Sequence, residues 1–477
     1  VSIRGLAPGF TQLTVDGDRM ASSTGTSVNR DGQIEVLSMG NIALVELIKA
    51  PTPDMDANAI GGYVNLITKR AFDLPGRRIV VNAGVLWRDR GFDGSPLQDR
   101  ADNLDTFSFS YSDSFDVFGR TNNLGLTLDL NHQASATTQD ENGPVTTLST
   151  SILNPQSGNP LQRVFGTGDF LTEQTFRNAG LSVDYKFNDQ AMAYFKVAYN
   201  TKDQAQHYNR ILIGQTNATL ASFAPNSTYE HSILLPAVAS TGEIEIGAFP
   251  RNNKNWQFSG GTEIKLFDGA GVLEVKGNYS HSNLHVPAWT RMYALATGIG
   301  FELDRRNNDP WYPTFTQTAG PSLNDPASYK LRNYTHVSYK APNYLRGMRA
   351  DYKHSFQSRC QSYVKVGVKY DRDERSQSQI NDQRSFVGAD GLLGTSDDSM
   401  APYATQSYRQ IQGTYGPWPF PGEPNSGEPG DAFTVPNGYW RPTAANAYAA
   451  YVATVSNKRK IIEEIRSAYA LGNVSFG

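Results

Sequence analysis

One acidic segment of this 477-residue sequence contains residues suited to metal binding. Asp390, Asp397 and Asp398 flank glycines within 388–398, and carboxylate oxygens around a glycine turn suit Ca²⁺. The spacing matches neither the EF-hand loop nor the glycine-rich nonapeptide repeat, so a solvated Asp-Gly turn is the alternative interpretation. The sequence requires no cofactor, and calcium is the one metal that it suggests.

Motifs for catalysis are missing. The sequence lacks a Gly-x-Ser-x-Gly elbow, a His-Glu-x-x-His pair and a phosphate loop. Its 43 basic and 46 acidic residues are balanced, and no basic stripe accompanies the aromatic residues. Cys360 is the single cysteine, which excludes a disulfide framework within the chain. We therefore predict that the chain is not an enzyme and does not bind nucleic acid.

Aromatic and cationic side chains in the long polar stretches suggest ligand binding instead. Flat rings stack on the apolar faces of sugars, whereas guanidinium groups pair with negatively charged ligands such as ferric siderophores. The candidates for binding a solute are Trp289, Trp311, Tyr312, Trp418, Tyr439, Trp440 and Arg441, and the siderophore alternative adds Arg305 and Arg306. For each of them, packing within the loops is the other interpretation.

Strands of alternating polarity must position these residues. Every second residue from Leu124 to Leu130 is leucine, while Thr127 and Asp129 lie on the opposite face. Segments of about ten residues, enough for a tilted strand to cross a bilayer, repeat this pattern to different degrees. They are 79–88, 106–115, 124–131, 179–187, 191–200, 255–266, 272–280, 348–356, 363–370 and 466–476.

The connections between these segments alternate in length. Short ones lie near 116–122, 188–190, 268–270 and 357–361, and long ones lie near 89–105, 134–175, 203–254, 283–347 and 373–465. Strict alternation is typical of bacterial outer-membrane barrels, which have tight periplasmic turns and long extracellular loops. The sequence therefore predicts a mainly β protein with a transmembrane antiparallel β-barrel. The segment 444–465 has helical spacing and predicts a short helix beside the pore mouth.

Three ordered motifs near the start resemble the plug domain of TonB-dependent receptors. The segments 3–6 (IRGL) and 13–17 (LTVDG) resemble the family's plug strand and turn. The segment 45–51 (VELIKAP) resembles its VEVIKGP strand, with Ala50 where glycine is usual. The segment 59–69 (AIGGYVNLITK) resembles its GAIGGVVNIVTK close.

The resemblance implies two domains. Residues 1–75 would be the C-terminal part of an α/β plug, and 76–477 the N-terminal part of a barrel with twenty-two strands in this family. The stretches 51–57 and 68–72 resemble the Xanthomonas/Caulobacter-like subgroup, which is often tied to carbohydrate uptake. The motifs place Arg4, Gly5, Asp16, Gly17, Gly61 and Gly62 in the plug. The glycines suit tight turns, and we expect Arg4 to pair with carboxylates on the inner barrel wall.

The implied function is energised uptake of a large, scarce solute across the bacterial outer membrane. The partners would be the solute, outer-membrane lipid, and TonB with its inner-membrane energising complex, acting through an N-terminal segment that we expect to precede Val1. A carbohydrate is slightly preferred, with a ferric siderophore as the alternative. A barrel adhesin or phage receptor and a secreted β-rich polysaccharide enzyme are the alternatives that do not transport.

Overall fold

A computed structural model of the chain describes thirteen stretches. They are 11–22, 42–50, 52–55, 61–73, 76–86, 104–143, 151–153, 160–306, 312–356, 361–409, 415–421, 435 and 437–475. Within these stretches no helix has both the length and the apolar character needed to cross a membrane.

A small sheet is formed by the first part of the chain. It contains β1 (Thr11–Val15), β2 (Asp18–Arg19), β3 (Ile42–Ile48) and β4 (Gly62–Thr68), and a 3-10 turn, Ala71–Asp73, follows it. The order is β2-β1-β4-β3, with β1 parallel to β4 and the other pairs antiparallel. The described residues of this part contain no α-helix, so the α character predicted for it has no counterpart there.

Long antiparallel strands make up most of the remaining chain. The remaining elements, in chain order, are β5 (Arg78–Leu86), β6 (Leu104–Val117), β7 (Arg120–Gly143), β8 (Ser151–Leu153), β9 (Pro160–Gln162), β10 (Val164–Lys186), β11 (Ala191–Gly214), β12 (His231–Leu234), β13 (Thr241–Leu266), β14 (Gly271–Thr297), β15 (Gly300–Asp304), β16 (Thr314–Ala319), β17 (Lys330–Phe356), β18 (Gln361–Phe386), β19 (Ala404–Tyr408), β20 (Trp418–Pro421), β21 (Trp440–Arg441), α1 (Ala444–Ser456) and β22 (Arg459–Ser475).

An 11-stranded sheet dominates the fold. Its order is β21-β18-β17-β14-β13-β11-β10-β7-β6-β5, with β22 also paired to β18. The mainly β, antiparallel prediction is therefore confirmed, and all ten predicted segments overlap strands of this sheet. Its completion to twenty-two strands stays a prediction.

Connection lengths alternate as predicted, but the strands are much longer than ten residues. The turns after β6, β10 and β13 are short, whereas the connections after β7, β11, β14 and β18 are long. Strands β13 and β14 contain 26 and 27 residues. The predicted length was wrong because pairing continues into stretches where the apolar alternation fades. We call the two ends of the sheet the turn end and the loop end.

Near the turn end the sheet has the opposite polarity to a soluble protein. In β7, the side chains of Thr127 and Asp129 are 2% and 3% exposed, whereas Leu130 is 39% exposed. Val275 on β14 and Val368 on β18 are likewise exposed, at 43% and 57%. Burying polar groups while exposing aliphatic ones is costly in water, so this arrangement suits a surface that faces lipid.

Short sheets and a core of loop residues lie at the loop end. These sheets are β12-β15-β16, β19-β20 and β8-β9, and their buried apolar residues pack against those of the long strands. The helix α1 ends at Ser456, and 459–475 is strand, so the predicted helix was too long. Asn446 on α1 donates a hydrogen bond to Ser385 on β18 (2.8 Å), which fixes the helix to that strand.

Candidate functional site

The small sheet lies against the polar face of the large sheet, which we call the seat face. Seven consecutive strands of the large sheet, β7, β10, β11, β13, β14, β17 and β18, contribute contacts. At one edge the ring of Phe72 lies 3.8 Å from Lys186 Nζ. The large sheet therefore curves around the small one. The opposite face is called the outer face.

Carboxylates of the small sheet and its loop meet cations of the seat face. Lys196 Nζ lies 2.8 Å from Asp16 Oδ2, and Lys276 Nζ lies 3.0 Å from Asp18 Oδ1. Strand pairing places Lys276 beside Arg349, and Arg349 beside Lys369. This basic row attracts the acidic side of the small sheet.

A second acidic contact comes from the loop 52–55. Asp54 accepts a hydrogen bond from Lys365 Nζ at 2.6 Å, and Arg349 Nη2 lies 3.7 Å away. Burial raises the pKa of Asp54, but the bonds from Lys365 and Thr52 outweigh it and leave the pKa below its ordinary value. The carboxylate therefore stays ionised at neutral pH.

The pKa values of the two carboxylates in the turn after β1 move in opposite directions. Burial raises the pKa of Asp16, but Lys196 and Thr68 outweigh it, so the net pKa is lowered. Burial also raises the pKa of Asp18, and there Lys276 does not compensate. Asp16 is the more secure anchor of the two.

Arg19 provides the reverse pairing, a cation of the small sheet between carboxylates of the wall. Its Nη2 lies 3.1 Å from Asp373 and its Nη1 lies 4.0 Å from Asp371, with all three side chains buried. Such a pairing was predicted for Arg4, which lies outside the described residues. The sequence offered one signal for Arg19, since it follows the Asp-Gly turn of a plug-like motif.

Asparagines form a row across the seat face at the height of Ala21. Register pairing aligns Asn131, Asn178, Asn200, Asn255, Ser282 and Asn343 on successive strands. Asn255 donates to the carbonyl of Ala21 (3.0 Å) and Asn343 to that of Ser22 (2.9 Å), while Ala21 N–H donates to Ser280 Oγ (3.0 Å). Neutral hydrogen bonds thus extend the contact beyond the ion pairs.

The plug-motif residues in the described stretches shape the small sheet itself. Asp16 accepts hydrogen bonds from the backbone and hydroxyl of Thr68 at 2.9 and 2.7 Å. Gly17 has a φ of +80°, which favours glycine, and its N–H donates to Asn65 Oδ1 (2.8 Å). Gly61 and Gly62 are buried at the start of β4, whereas Gly5 lies outside the described residues.

Beyond the asparagine row, nearer the loop end, the seat face has a mixed aromatic and ionic cluster. We call it the loop-end cluster: Phe170, Tyr208, Arg210, Glu245, Trp289, Arg291 and Tyr293. The register irregularity between Val286 and Trp289 turns the odd-numbered side chains of β14 to this face above it.

Interactions within the loop-end cluster fix its geometry. Glu245 accepts a hydrogen bond from Tyr208 (3.0 Å) and forms an ion pair with Arg210, while Arg291 Nη1 lies 3.9 Å away. The Arg291 guanidinium lies 4.4 Å from the Trp289 ring. Gly247 leaves the space that Tyr208 occupies, since a Cβ there would overlap its ring. Two cations and several rings thus surround one carboxylate on a half-exposed surface.

Trp289 is therefore the predicted ligand residue that falls on the seat face. The sequence did not indicate the other members of the loop-end cluster. Arg210, Glu245 and Arg291 lie in strands, within the stretches 203–254 and 283–347 that the sequence predicts to be long connections. Their signal is weak in sequence, since only strand register brings them together.

The remaining solute-binding candidates lie elsewhere. Trp418 and Trp440 are 2% and 4% exposed and pack inside the loop core. Tyr439 packs against that core, 6.0 Å from Phe386. Tyr312 lines a pocket of 360 Å³ with Tyr415 and Trp418, and Trp311 lies outside the described residues.

The arginines proposed for a siderophore have partners in the loops. Arg305 donates to Gln162 and to the carbonyl of Tyr229 (3.0 Å). Arg306 lies 2.6 Å from Asp304. Arg441 is exposed in β21. Neither Arg305 nor Arg306 lies in the loop-end cluster.

The three carboxylates predicted to bind calcium cap backbone N–H groups. Asp397 accepts from the backbones of Ala389 (2.7 Å) and Asp390 (3.1 Å), and these bonds with Thr395 lower its pKa to about 2. Asp398 accepts from Gly394 (2.5 Å). These hydrogen bonds account for the loop geometry without an ion. Calcium binding there stays a prediction.

One group of three metal-type ligands occurs in the described part of the chain. It comprises His231, Glu302 and Asp304, whose ligand atoms lie within 4.8 Å of one another. Arg306 binds both oxygens of Asp304, at 2.9 and 2.6 Å. The Arg306 guanidinium therefore competes with a metal ion for that carboxylate.

Comparison with known proteins gives structural likenesses at low identity. No family model and no curated protein matches the chain. A mutant of the ferric enterobactin receptor PfeA from Pseudomonas aeruginosa has 11% identity and a TM-score of 0.30, covering 80% of this chain and 71% of that chain.

Two further solved structures show a similarly low likeness to this chain. The siderophore receptor PirA from Pseudomonas aeruginosa has 13% identity and a TM-score of 0.24, covering 80% of this chain and 79% of its own. The ferric-catecholate import receptor Fiu from E. coli K12 has 8% identity and a TM-score of 0.25, covering 81% and 72%. Since all three scores are below 0.5, the role of this chain must be judged from its own geometry.

Proposed function

We propose that the chain forms part of the wall and part of the plug of a TonB-dependent outer-membrane transporter. The observation that carries this proposal is the seat. A small sheet lies inside the curve of a large one, held by buried ion pairs and amide bonds, while the outer face exposes aliphatic side chains. A polar interface separates more readily in water than an apolar core does, which suits a gate.

Aromatic side chains on the outer face support a membrane location. Towards the loop end, Tyr199, Trp256, Phe258 and Tyr279 form a chain of ring contacts with centroid distances of 4.2, 6.0 and 6.2 Å. At the turn end, exposed rings lie at the end of a strand or directly after it: Phe118, Phe187, Phe267 and Phe356. Two aromatic girdles flanking an apolar band are the pattern of outer-membrane barrels.

The separation of the two girdles matches a bilayer. Phe267 follows Trp256 by eleven residues, a path of roughly 36 Å along a strand. A tilt of about 45° reduces this to about 25 Å, the height of the apolar band in such barrels.

For the solute, we propose a ferric siderophore rather than a carbohydrate. The preference for carbohydrate rested partly on tryptophans in loops, and Trp418 and Trp440 are buried in the loop core. The loop-end cluster instead offers Arg210 and Arg291 beside aromatic rings, a combination suited to an anionic aromatic ligand. Assignment to the Xanthomonas/Caulobacter-like subgroup stays a prediction.

The proposed cycle follows from these contacts. Solute captured at the loop-end cluster changes the balance of conformations of the seated small sheet. TonB, driven by its inner-membrane energising complex, then releases the small sheet from the seat face. The chain itself makes and breaks no covalent bond in this cycle.

A reversible tether tests the gate. In a Cys360→Ser background, a disulfide between Ala21→Cys and Ser280→Cys would tether the small sheet to β14. In the native chain the backbone N of Ala21 lies 3.0 Å from Ser280 Oγ. We expect oxidation to abolish TonB-dependent uptake of an iron-labelled ferric catecholate, and a reductant to restore it. Ser280→Cys with Leu345→Cys, paired across β14 and β17, is the control and should leave uptake unchanged. Full uptake by the oxidised tether, or uptake without TonB, would refute the proposal.

A further inference from the structure

The outer face has a groove with a basic rim. The groove measures 830 Å³ and crosses β13, β14, β17, β18 and β22. Strand register aligns two outward rows along it. One row is Gly260, Gly277, Met348, Tyr370 and Arg466, and the other is Thr262, Val275, Ala350, Val368 and Ala468.

Small side chains create the groove. Gly260, Gly277, Ala350 and Ala468 replace the bulky aliphatic residues usual on a lipid-facing strand, leaving a depression beside the side chains of Val368 and Met348. Met348 is 71% exposed and Val368 is 57% exposed. The depression lies within the proposed apolar band, one row from Phe258 and Tyr279 of the loop-end girdle. Its size and chemistry suit acyl chains.

Basic side chains gather immediately beyond the groove, towards the loop end. Six outward-facing ones lie in or above the girdle rows and Arg466 lies in the adjacent groove row, together with two carboxylates. The cations are Lys254, Lys340, Arg346, Arg372, Lys458, Lys460 and Arg466, and the carboxylates are Glu374 and Glu464. Arg346 is exposed in the girdle row, and Arg466 is exposed in the groove row, 3.7 Å from Glu464 of the girdle row. Cations exceed carboxylates by seven to two in this region.

A second pocket lies among these cations. It measures 550 Å³ and contains Lys340, Lys458 and Lys460 in its lining. The ring of Tyr344 stacks on His281 in the same wall, with centroids 4.4 Å apart. The apolar groove and the basic pocket thus lie on opposite sides of the row that contains Tyr279, Arg346 and Arg372.

We propose that this surface binds a membrane lipid with more than one phosphate in its headgroup. The acyl chains would occupy the groove, and the phosphates would lie between Arg346, Arg466 and the lysines of the basic pocket. Charge complementarity selects this occupant over a zwitterionic lipid, because each basic residue near a membrane surface attracts anionic lipid. The inference rests on the proposed membrane location of the outer face.

Lipid retention in the purified full chain tests the site. The protein is reconstituted in phosphatidylcholine nanodiscs containing diphosphoryl lipid A, monophosphoryl lipid A or no anionic lipid, and bound lipid is measured by native mass spectrometry after release. We expect retention in the order diphosphoryl, monophosphoryl, zwitterionic. Arg346→Gln with Arg466→Gln should reduce retention of the diphosphoryl lipid by roughly fivefold for each charge removed.

Two variants separate the parts of the site. Gly277→Leu fills the groove and leaves every charge in place, and a Cβ at Gly277 meets its nearest neighbour at 3.7 Å, which is an ordinary contact. It should reduce lipid retention while leaving any binding of inorganic phosphate unchanged. Arg120→Gln, at the exposed turn after β6, is the matched control and should change nothing.

The outcomes distinguish this inference from the proposed function. Equal retention of diphosphoryl and zwitterionic lipid by an inserted protein, or unchanged retention in the double arginine variant, overturns the lipid site and leaves the transporter proposal standing. Inorganic phosphate displacing the lipid completely would show an anion site without a groove. A chain that never inserts into the nanodisc contradicts the proposed function itself.

Discussion

At the scale of single residues, the contacts between the small sheet and the seat face determine how firmly the small sheet is held. Among these residues we expect Arg19 to contribute most to the stability of the contact, because its guanidinium lies between two buried carboxylates, Asp371 and Asp373. Removing one partner of a buried charge network costs about 3–5 kcal/mol, whereas removing all of it is often nearly neutral.

Arg19→Met should therefore loosen the small sheet. We expect amide hydrogen exchange in β1 and β2 to accelerate more than about a hundredfold, with little change in β14. Adding Asp371→Asn and Asp373→Asn should restore slow exchange only in part, because the two unpaired carboxylates are removed while Lys369 and Arg375 each lose a carboxylate partner. If Arg19→Met exchanges at the wild-type rate, Arg19 does not hold the seat.

Acid should release the seat through Asp16. Its folded pKa is below the ordinary 3.8, so its contribution is complete above that pH and is lost as the pH falls through the folded value. We expect faster exchange in β1 below about pH 3.8, and a smaller acid effect in Asp16→Asn. Asp18, with a raised pKa, has the opposite sign and does not cause release. Identical acid profiles for wild type and Asp16→Asn would exclude Asp16 as the cause.

At the scale of elements, the outer face of β14 has residues both inside the proposed apolar band and outside it. Val275 and Asn283 lie on the same outer face of β14, below and above the loop-end girdle. An arginine near the centre of the apolar band costs about 2–4 kcal/mol, and one near the interface costs about 0–1.

Val275→Arg should accordingly reduce the fraction of protein that folds into phosphatidylcholine vesicles, as judged by heat-modifiable gel migration. Asn283→Arg is its matched control and should fold like wild type. In a soluble protein, a residue 43% exposed such as Val275 would tolerate arginine within about 0.5 kcal/mol. Equal folding of both variants would therefore argue against a lipid-facing strand.

The loop core provides a prediction of another kind. Trp418 is buried against Tyr408, Tyr415 and Phe420, so Trp418→Ala should cost about 3–5 kcal/mol of loop stability, measured by protease resistance of the loops. Arg291→Gln, in the loop-end cluster, should instead weaken siderophore binding with the loops intact, measured by titration calorimetry. A stable Trp418→Ala protein that loses ligand affinity would return Trp418 to the ligand site.

Sequence alternation predicted the strands where their two faces differ most. From Leu124 to Leu130 the leucines are outward and the polar residues inward, so the period of two is legible. Nearer the loop end, β13 and β14 carry apolar residues on the face covered by loops and charges on the other, with an irregularity near Trp289. There the phase of the alternation shifts by one residue, so a sequence window that spans the irregularity shows no regular period of two.

The candidate site was harder to predict for a related reason. Asp16 and Gly17 were visible through a motif that is continuous in sequence. Arg19 with Asp373, or Arg210 with Arg291, depend on which residues of distant strands lie opposite one another. Burial in loops, as for Trp418, depends on segments of the chain far apart, so composition alone could not separate packing from binding.

At the scale of the whole molecule, two surfaces of one sheet have opposite tasks. The seat face holds the small sheet through ion pairs and hydrogen bonds, and the outer face presents aliphatic groups between two groups of aromatic rings. Asp129 and Leu130 are adjacent in sequence, yet the first is buried and the second exposed. The transport proposal depends on this inversion, because a soluble sheet would bury Leu130 and expose Asp129.

A nitroxide scan along residues 272–280 of β14 tests the inversion most directly. Single cysteines are introduced in a Cys360→Ser background, labelled, and reconstituted in phosphatidylcholine bilayers, and their relaxation by oxygen and by a water-soluble nickel complex is compared. We predict a period of two, with labels at Leu273, Val275 and Tyr279 exposed to oxygen, and those at Glu274, Lys276 and Asn278 shielded from it. Labels at Leu273 and Val275 that are reached by the nickel complex, or a scan without the period of two, would contradict the account.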